Sequence, residues 1–361
     1  MKKTKIIALL LVFIMTMAAF ASCAKLETAM EYKGEKITFN MYSYWMSQIK
    51  SGYVNQANDT DEYWSTKYSN GETFEQKMRE IVDFNVKTNL VCLKLFKDMG
   101  LKVPEDKMQE LETSLKDMLS VYPTKSALNE FLSNYNINYD MMHDIYEAEL
   151  KVETVYNELY KTGGDREITT EKLDSYFKEN YVLADAIILY TKTVYEVDEK
   201  GEIVYDETKG TPKTRELTED ETKAKKALAD ELVERLEKGE SFEELKKTYN
   251  EDPNKDKFTD GYYISANDLN EYGTSIVLSA QTLEVGEFEK VEEEASICIL
   301  KRKELVDKAY TSKEYADQFS NLRYYAEQND FKLYMNELIK DVVVYKDVTD
   351  KISVRDAKLI G

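Results

Sequence analysis

Apolar residues recur at helical spacing through the first half of the chain. Between residues 39 and 181 they follow the i, i+3, i+4 spacing of amphipathic helices. A capping box at Thr73 opens one of these helices, and Gly100 ends it. Further helices are predicted after Pro104 and at about 126–134, 138–161 and 170–180.

The pattern changes near residue 182, where short runs of β-forming residues replace the long helices. Residues 184–190 and residues 297–300 each predict a buried strand. Between them, capping boxes at Thr218 and Ser241 predict two helices. One β-rich island therefore lies within a helical chain, which favours an α+β fold.

Two hairpins are predicted on either side of the helical region. Residues 30–38 alternate between apolar and polar positions around Lys33 and Gly34. The acidic segment 193–216 predicts a second hairpin, with strands at 194–197 and 203–205.

The end of the sequence predicts one long helix followed by a tail. A capping box at Thr311 opens a helix that runs to about Lys340. Residues 341–361 are expected to be extended or loosely ordered.

The N-terminus has the composition of a secretion signal. A cationic start at residues 1–5 precedes an apolar run at residues 6–20, which is too short to cross a bilayer as a helix with ordinary flanks. Residues 20–23 resemble the bacterial lipobox, which implies a lipid on Cys23 as the first residue of the mature protein. The alternative is an ordinary cleaved signal followed by a chance cysteine.

Charge and cysteine usage narrow the classes of partner. The net charge is −20, and removal of residues 1–22 takes away three lysines and no acid, which moves it to −23. A surface with this much negative charge repels nucleic acid and anionic lipid headgroups. Membrane attachment would therefore depend on the lipid at Cys23. Cys92 and Cys298 lie in apolar runs, which indicates buried thiols and no disulfide framework. With His143 as the only histidine, no metal site and no cofactor is predicted.

The order of strand, two helices, loop, short helix and strand resembles a parvulin-type peptidyl-prolyl isomerase domain. The matching segments are Glu240–Leu245, Tyr249–Pro253, Gly261, Leu283–Phe288 and Ile297–Lys301. The flanking helices resemble the chaperone part of the PrsA and SurA foldases, in Tyr32–Ile37, Met99–Pro104 and Ile168–Phe177.

The resemblance implies a catalytic pocket whose main residues are replaced. The family's two histidines fall at Ala186 and Cys298, and its polar Asp or Cys falls at Asp252. Its Met and Phe, which line the proline pocket, match Tyr272 and Ile276. Rotation about the peptide bond has a barrier of about 18–20 kcal/mol, and the enzyme lowers it with a tuned hydrogen-bond network. A methyl group and a thiol remove most of that network, so isomerase activity is predicted to be weak or lost.

The flanking helices carry many tyrosines, a side chain with a broad apolar face and a polar tip. Of the 27 tyrosines in the chain, those near methionines and a tryptophan form a candidate surface for unfolded polypeptides. The candidate residues are Met41, Tyr42, Tyr44, Trp45, Tyr135, Tyr139 and Tyr146. The alternative is that these side chains pack the helices together.

These observations predict an α+β fold in which a discontinuous helical, chaperone-type lobe carries an inserted parvulin-like domain, a small antiparallel sheet plus helices. The predicted parts are a lipoprotein signal peptide 1–22, a tether 23–30, a helical domain 31–181, a parvulin-like domain 182–305 with the hairpin insertion 193–216, a helix 306–340 that completes the helical lobe, and a tail 341–361.

The predicted function is that of a lipid-anchored chaperone or foldase outside the cytoplasm. Its partners would be unfolded or nascent secreted proteins, and the membrane through the N-terminal lipid; a homodimer stays open. The alternative is a surface lipoprotein that binds a solute or polymer or acts as a scaffold. Solute-binding lipoproteins show repeated βα units, and the single β-rich island of this chain favours the foldase.

Overall fold

The computed structural model describes residues 26–200, 204–206 and 209–360, and in them an antiparallel three-stranded sheet, an antiparallel four-stranded sheet and a two-stranded hairpin organise the chain. The chain divides into two units, residues 1–167 with 330–361 and residues 168–329. Each unit combines helices with a small sheet, so the predicted α+β class with an inserted domain is confirmed. The predicted signal peptide and Cys23 lie outside the described residues.

The first unit begins with the predicted hairpin. Strand β1 (Thr28–Tyr32) pairs with strand β2 (Glu35–Thr38). Lys33 and Gly34 have φ of 48° and 86°, the left-handed conformation that a type I′ turn requires at both central positions. Because β1 starts at Thr28, the last three residues of the predicted tether 23–30 belong to the sheet.

Six helices follow in this unit, with a 3₁₀ turn at Ser133–Tyr135. They are α1 (Phe39–Tyr53), α2 (Asp61–Ser65), α3 (Phe74–Asp98), α4 (Glu105–Val121), α5 (Lys125–Leu132) and α6 (Tyr139–Tyr160). The predicted capping box at Thr73 is present. Helix α3 packs along α6 and buries Val82, Val86 and Leu90, one side chain per turn, completely.

The second unit opens with helix α7 (Thr170–Asn180), which leads directly into its central strand. Its elements are β3 (Tyr181–Tyr190), β4 (Thr193–Tyr195), β5 (Thr214–Glu216), α8 (Glu219–Glu237), α9 (Phe242–Tyr249), β6 (Tyr262–Ser265), α10 (Leu269–Tyr272), α11 (Thr274–Thr282), β7 (Phe288–Glu292) and β8 (Ser296–Lys303). The main sheet has the order β6-β3-β8-β7, and all its pairings are antiparallel. Helices α8 and α9 cover one face, and α11 covers the other.

The acidic hairpin has a different pairing from the one predicted. Strand β4 pairs with β5, so Thr193–Tyr195 lies beside Thr214–Glu216 and not beside residues 203–205. The intervening chain returns through a single bridge between Tyr205 and Pro212.

The helix that returns to the first unit starts later than predicted. Residues 309–311 and 313–319 form 3₁₀ turns, and helix α12 spans Leu322–Leu338. The Ser312 hydroxyl accepts the Glu314 N–H and so caps only a 3₁₀ segment. Phe319 is buried against Phe177 and Tyr263. By their contacts, α7 and the beginning of α12 belong to the second unit, which extends beyond the predicted limits 182 and 305.

The tail, predicted to be loosely ordered, is folded onto the first unit. After a 3₁₀ turn at 339–341, strand β9 (Val343–Val344) pairs with β1, and helix α13 (Lys346–Thr349) follows. Val354 and Ala357 are buried at 1% and 2% exposure. A residue about 300 positions earlier in the sequence holds the tail in place. Lys50, which has no exposed surface, donates to the carbonyl oxygens of Arg355 and Ala357.

Lys50 is expected to be a major contributor to the stability of the first unit. Its ammonium also pairs with Asp59 at 2.8 Å, so Lys50→Met would leave a partly buried carboxylate and two carbonyl oxygens without their donor. We expect a loss of about 3 kcal/mol in the free energy of unfolding. Both tryptophans, Trp45 and Trp64, lie in this unit, so urea denaturation followed by tryptophan fluorescence measures its stability alone. The matched control, Lys116→Met at an exposed site, should change stability by less than about 0.5 kcal/mol.

Candidate functional site in the second unit

Strand β3 presents a different set of side chains to each face of the main sheet. Val182, Ala184 and Ala186 enter an apolar cluster with helix α11. Ile187 and Leu189 point the other way, into a cluster with helices α8 and α9. This alternation is the ordinary period of two in a strand.

Four of the five predicted pocket residues meet in the α11 cluster. Ala186 is 2% exposed and Cys298 is 1% exposed, on neighbouring strands of the same face. Their positions are diagonal, because Ala186 pairs with Leu300 and Cys298 pairs with Ile188. Tyr272 and Ile276 pack against the same cluster.

Asp252, the fifth residue, lies at the edge of this cluster. Its carboxylate oxygen Oδ1 accepts the Asn254 N–H at 2.8 Å, which closes the turn after helix α9. Burial raises the pKa of the Asp252 carboxyl above its ordinary value. Its negative charge in turn contributes to the raised pKa values of Cys298 and Tyr272, after burial itself. The structure therefore brings all five predicted residues together.

The chemistry available in this cluster is limited. Burial raises the pKa of the Cys298 thiol to about 12, so the thiol stays protonated at neutral pH. Ala186 offers only a methyl group. Tyr272 contacts Tyr262 edge-on at 5.9 Å, and Phe258 contacts Tyr262 at 5.3 Å. Aromatic packing thus occupies the sheet face beside both positions, and the only polar group they supply at neutral pH is the weakly donating thiol of Cys298.

The loop before Asp252 completes the open edge of β3, which the sequence did not predict. Strand β6 pairs only with residues 181–184, so the polar atoms beyond them need other partners. The Asn250 side chain accepts the Ile188 N–H, and the Glu251 N–H donates to the Ile188 carbonyl, both at 2.9 Å. The Glu251 carboxylate accepts the Tyr190 N–H at 2.9 Å. The loop thereby fixes the position of Asp252 against the sheet.

A buried ion pair joins β3 to helix α9. Asp185 has no exposed surface, and its Oδ1 lies 2.6 Å from the Lys246 Nζ atom, whose side chain is 10% exposed. Lys246 also donates to the Thr259 carbonyl. One signal could have revealed the pair, because an acid within an apolar strand needs a cationic partner when it is buried.

Gly261 lets the next strand come close to β3. Its φ is 111°, and an added Cβ atom would lie 2.7 Å from the Ala184 carbonyl oxygen. Any side chain would therefore force β6 away from β3.

Two family models match the chain, one in each unit. Residues 187–304 match the PPIC-type peptidyl-prolyl isomerase domain, and residues 40–157 match the C-terminus of bacterial trigger factor. The chain therefore contains a PPIC-type, parvulin-like domain and a segment similar to the C-terminus of trigger factor. The second unit is from here on called the parvulin unit. The PPIC-type match begins one residue after Ala186 and includes Asp252, Tyr272, Ile276 and Cys298.

Solved structures of PrsA foldases are similar to the chain at low identity. PrsA from Bacillus subtilis is 19% identical, with 81% of this chain and 94% of that chain covered and a TM-score of 0.24. PrsA from Streptococcus pneumoniae is 15% identical, with 87% and 91% covered and a TM-score of 0.26. The peptidylprolyl isomerase PrsA from Bacillus cereus is 17% identical, with 81% and 95% covered and a TM-score of 0.27. No curated protein matches the chain significantly by sequence. Because these TM-scores are low, the assignment of the two segments rests on the family models alone.

Most of the predicted polypeptide-binding residues of the first unit are in its core. Tyr42, Tyr44, Trp45 and Tyr135 are between 0% and 8% exposed, so they do not form the surface predicted for them. Their polar atoms are used internally: the Tyr42 hydroxyl donates to Asp83, the Trp45 indole donates to Glu149, and the Tyr44 hydroxyl bonds that of Tyr146. Met41, Tyr139 and Tyr146 are half-buried.

His143 also lies in this unit. Its Nε2 atom bonds the Glu112 carboxylate at 3.0 Å, and Asp144 and Glu147 place further oxygen atoms nearby. Glu147 also pairs with Lys151 at 2.8 Å. Ion pairs account for this cluster. In the described part of the chain, no helix is both long and apolar enough to cross a bilayer.

Cys298 is expected to be unreactive in the folded protein. Because the pKa of its thiol and that of Cys92 are each raised to about 12 by burial, almost no thiolate is present at pH 8. In the mature chain with Cys23→Ser, we expect no thiol to react rapidly with Ellman's reagent in native buffer and two to react in 6 M guanidinium. A rapid native reaction that is lost in Cys298→Ala would assign a nucleophilic thiol to the pocket and contradict this expectation.

The raised pKa of Asp252 predicts that the stability of the parvulin unit falls as this carboxyl loses its proton. Since the folded state disfavours the charged carboxylate, stability is greatest below the ordinary carboxyl pKa and falls as pH rises through the folded-state pKa. Asp252→Asn should therefore be more stable than the unmodified protein at pH 7 and equally stable at pH 3. Exchange rates of the β3 amide hydrogens measure this unit alone. The control is Asp256→Asn at an exposed site of the same loop, and an equal gain at both pH values would exclude the carboxylate as the cause.

Proposed function

We propose that this protein is a folding helper that binds unfolded secreted polypeptides and has weak or no prolyl isomerase activity. The observation that carries the proposal is the chemistry of the parvulin unit. Its family match at residues 187–304 contains no histidine, and the two positions at which the resemblance implies one are Ala186 and Cys298.

The physical argument concerns what the pocket can do for a rotating peptide bond. Isomerisation needs a site that binds the twisted amide better than either planar form. A methyl group donates no hydrogen bond, and a protonated buried thiol is a weak donor. Phe258, Tyr262 and Tyr272 fill the adjoining space. The fold and its apolar surface are retained, while the hydrogen-bond network that would stabilise the transition state is absent from these positions.

The proposed site of action is the outer face of the cell membrane. It is supported by the lipobox-like residues 20–23, which lie outside the described residues. With β1 starting at Thr28, only about four residues would separate a lipidated Cys23 from the first unit. A tether that short would hold this unit near the membrane surface, where exported chains emerge.

The foldase-type pair of family matches favours this function over a scaffold or solute-binding lipoprotein. A trigger-factor-like segment and a PPIC-type domain occur together in one chain. Both parts of such a pair could bind unfolded chains, and this binding needs no active isomerase. The scaffold remains the second candidate, and the same assays distinguish the two.

Isomerase and chaperone activity are expected to separate in this protein. In a protease-coupled assay with a prolyl peptide, the rate should stay within twofold of the uncatalysed rate at 10 µM protein. At the same concentration, the protein should suppress aggregation of a chemically denatured model protein diluted into buffer. The two results together are the expected signature of a binding-only parvulin unit.

The controls separate the two parts of this proposal. An active parvulin in the same assay shows that the peptide is a competent substrate, and bovine serum albumin at equal mass tests for nonspecific suppression. A clear isomerase rate that Tyr272→Ala abolishes would show that the pocket is catalytic without histidine. Absence of both activities would favour the scaffold.

A further inference from the structure

Residues 353–360, here called the strap, form one wall of a large groove in the first unit. The cavity has a volume of about 670 Å³. Helix α1 and the loop after it line the opposite wall through Ser51, Val54 and Asn55, and Tyr135 closes one end. The first part of the strap is a turn that the Ala357 N–H closes by donating to the Ser353 carbonyl at 3.1 Å, and residues 358–360 are irregular.

The groove holds the strap mainly through the strap's backbone. Lys50 Nζ donates to the carbonyl oxygens of Arg355 at 3.2 Å and Ala357 at 2.8 Å. The Tyr135 hydroxyl donates to the Leu359 carbonyl at 3.3 Å, and the Ile360 N–H donates to the Ser51 Oγ atom at 2.7 Å. The contacts at Ala357, Leu359 and Ile360 use backbone groups that every polypeptide carries, so the same partners suit chains of many sequences.

The buried charge of Lys50 restricts what else could fill the groove. Its side chain has no exposed surface, and Asp59 at 2.8 Å supplies one acceptor. An ammonium group has three protons to donate, and a buried donor without an acceptor is costly. An occupant that replaces the strap must therefore present carbonyl oxygens at the same place, as a peptide backbone does.

One end of the strap is anchored by side chains and the other is not. Arg355 forms ion pairs with Glu75 at 2.7 Å and Asp61 at 2.9 Å. Beyond Ala357, the bonds given above are two backbone contacts, at Leu359 and Ile360. Lys358 is exposed, and Leu359 and Ile360 are half-buried. Residues 358–360 are therefore held by fewer contacts than Arg355.

Exposed apolar side chains lie near the part of the groove that residues 357–360 line. Phe131 is 42% exposed and contacts Tyr135 edge-on at 5.7 Å. Tyr53, next to the groove residue Val54, is 62% exposed. An incoming chain would find apolar contacts here before it reached the buried backbone partners.

We propose that residues 357–360 of the strap cover a polypeptide-binding site beside this cavity as an internal substitute for a client segment, and that a client binds by displacing them. This inference rests on the proposed binding of unfolded polypeptides and names where it occurs and what regulates it. Because the strap is covalently attached, it competes at high effective concentration and lowers the apparent affinity for every client.

A reversible lock tests the inference. The hydrogen bond from the Ile360 N–H to Ser51 Oγ keeps the two Cα atoms within disulfide range, so Ser51→Cys with Ile360→Cys should join the strap to the groove. In the mature chain with Cys23→Ser, we expect the oxidised form to bind reduced, alkylated ribonuclease A at least tenfold more weakly than the reduced form. The matched control is the Ser51→Cys single variant, whose affinity should not respond to the same redox treatment.

A second variant should change affinity in the opposite direction. Arg355→Ala removes both anchoring ion pairs and should raise affinity for the same unfolded ribonuclease severalfold. The control is Lys351→Ala, which removes an exposed ion pair with Glu27 just before the strap. Tryptophan fluorescence of the first unit checks that each variant is folded.

The outcomes distinguish the two proposals. If the reduced form binds the unfolded ribonuclease and the lock leaves its affinity unchanged, the strap is a structural element and this inference is wrong. If neither the reduced form, nor Arg355→Ala, nor the unmodified protein binds, the proposed function fails and this inference fails with it. Weaker binding on oxidation together with stronger binding for Arg355→Ala supports the inference.

Discussion

Strand β3 is covered on both faces and paired along most of both edges. The polar groups of this strand must therefore find partners within the protein. Each face must be apolar or charge-paired, so Asp185 is neutralised by Lys246. Each edge must be hydrogen-bonded, so the loop at Asn250 and Glu251 substitutes for a strand where β6 ends. The same loop carries Asp252, and the same faces carry Ala186 and Ile187. The position of the candidate pocket thus follows from how one strand is buried.

That burial also limits which side chains suit the two positions that the resemblance assigns to histidines. A histidine on this face would be a buried polar group that needs its own hydrogen bonds. Alanine and cysteine need none, and Tyr272 and Ile276 pack against the same cluster. Apolar packing thus occupies both positions, and this face of the sheet contributes to stability without a buried imidazole.

Features set by neighbouring residues were predictable from the sequence. The caps at Thr73 and Thr218 and the turn at Lys33 and Gly34 each depend on a few adjacent positions. The apolar runs also located the central strands, and four of the residues that the family resemblance assigns to a pocket lie in or against one apolar cluster. Features set by distant contacts were not predictable. Helical spacing alone did not reveal that Tyr42 and Trp45 face the core, and nothing near residue 355 signals that Lys50 will bind it.

The pairing of β1 with β9 has a consequence for the order in which the chain can fold. Met30 lies opposite Val344, more than 300 residues further along the chain. A chain that is delivered to the cell surface from its N-terminus exposes one edge of β1 until residue 344 has emerged. The parvulin unit is one continuous segment, residues 168–329, so all of its residues have emerged before residue 344. The unit that is proposed to hold unfolded chains would therefore be the last part of its own molecule to finish folding.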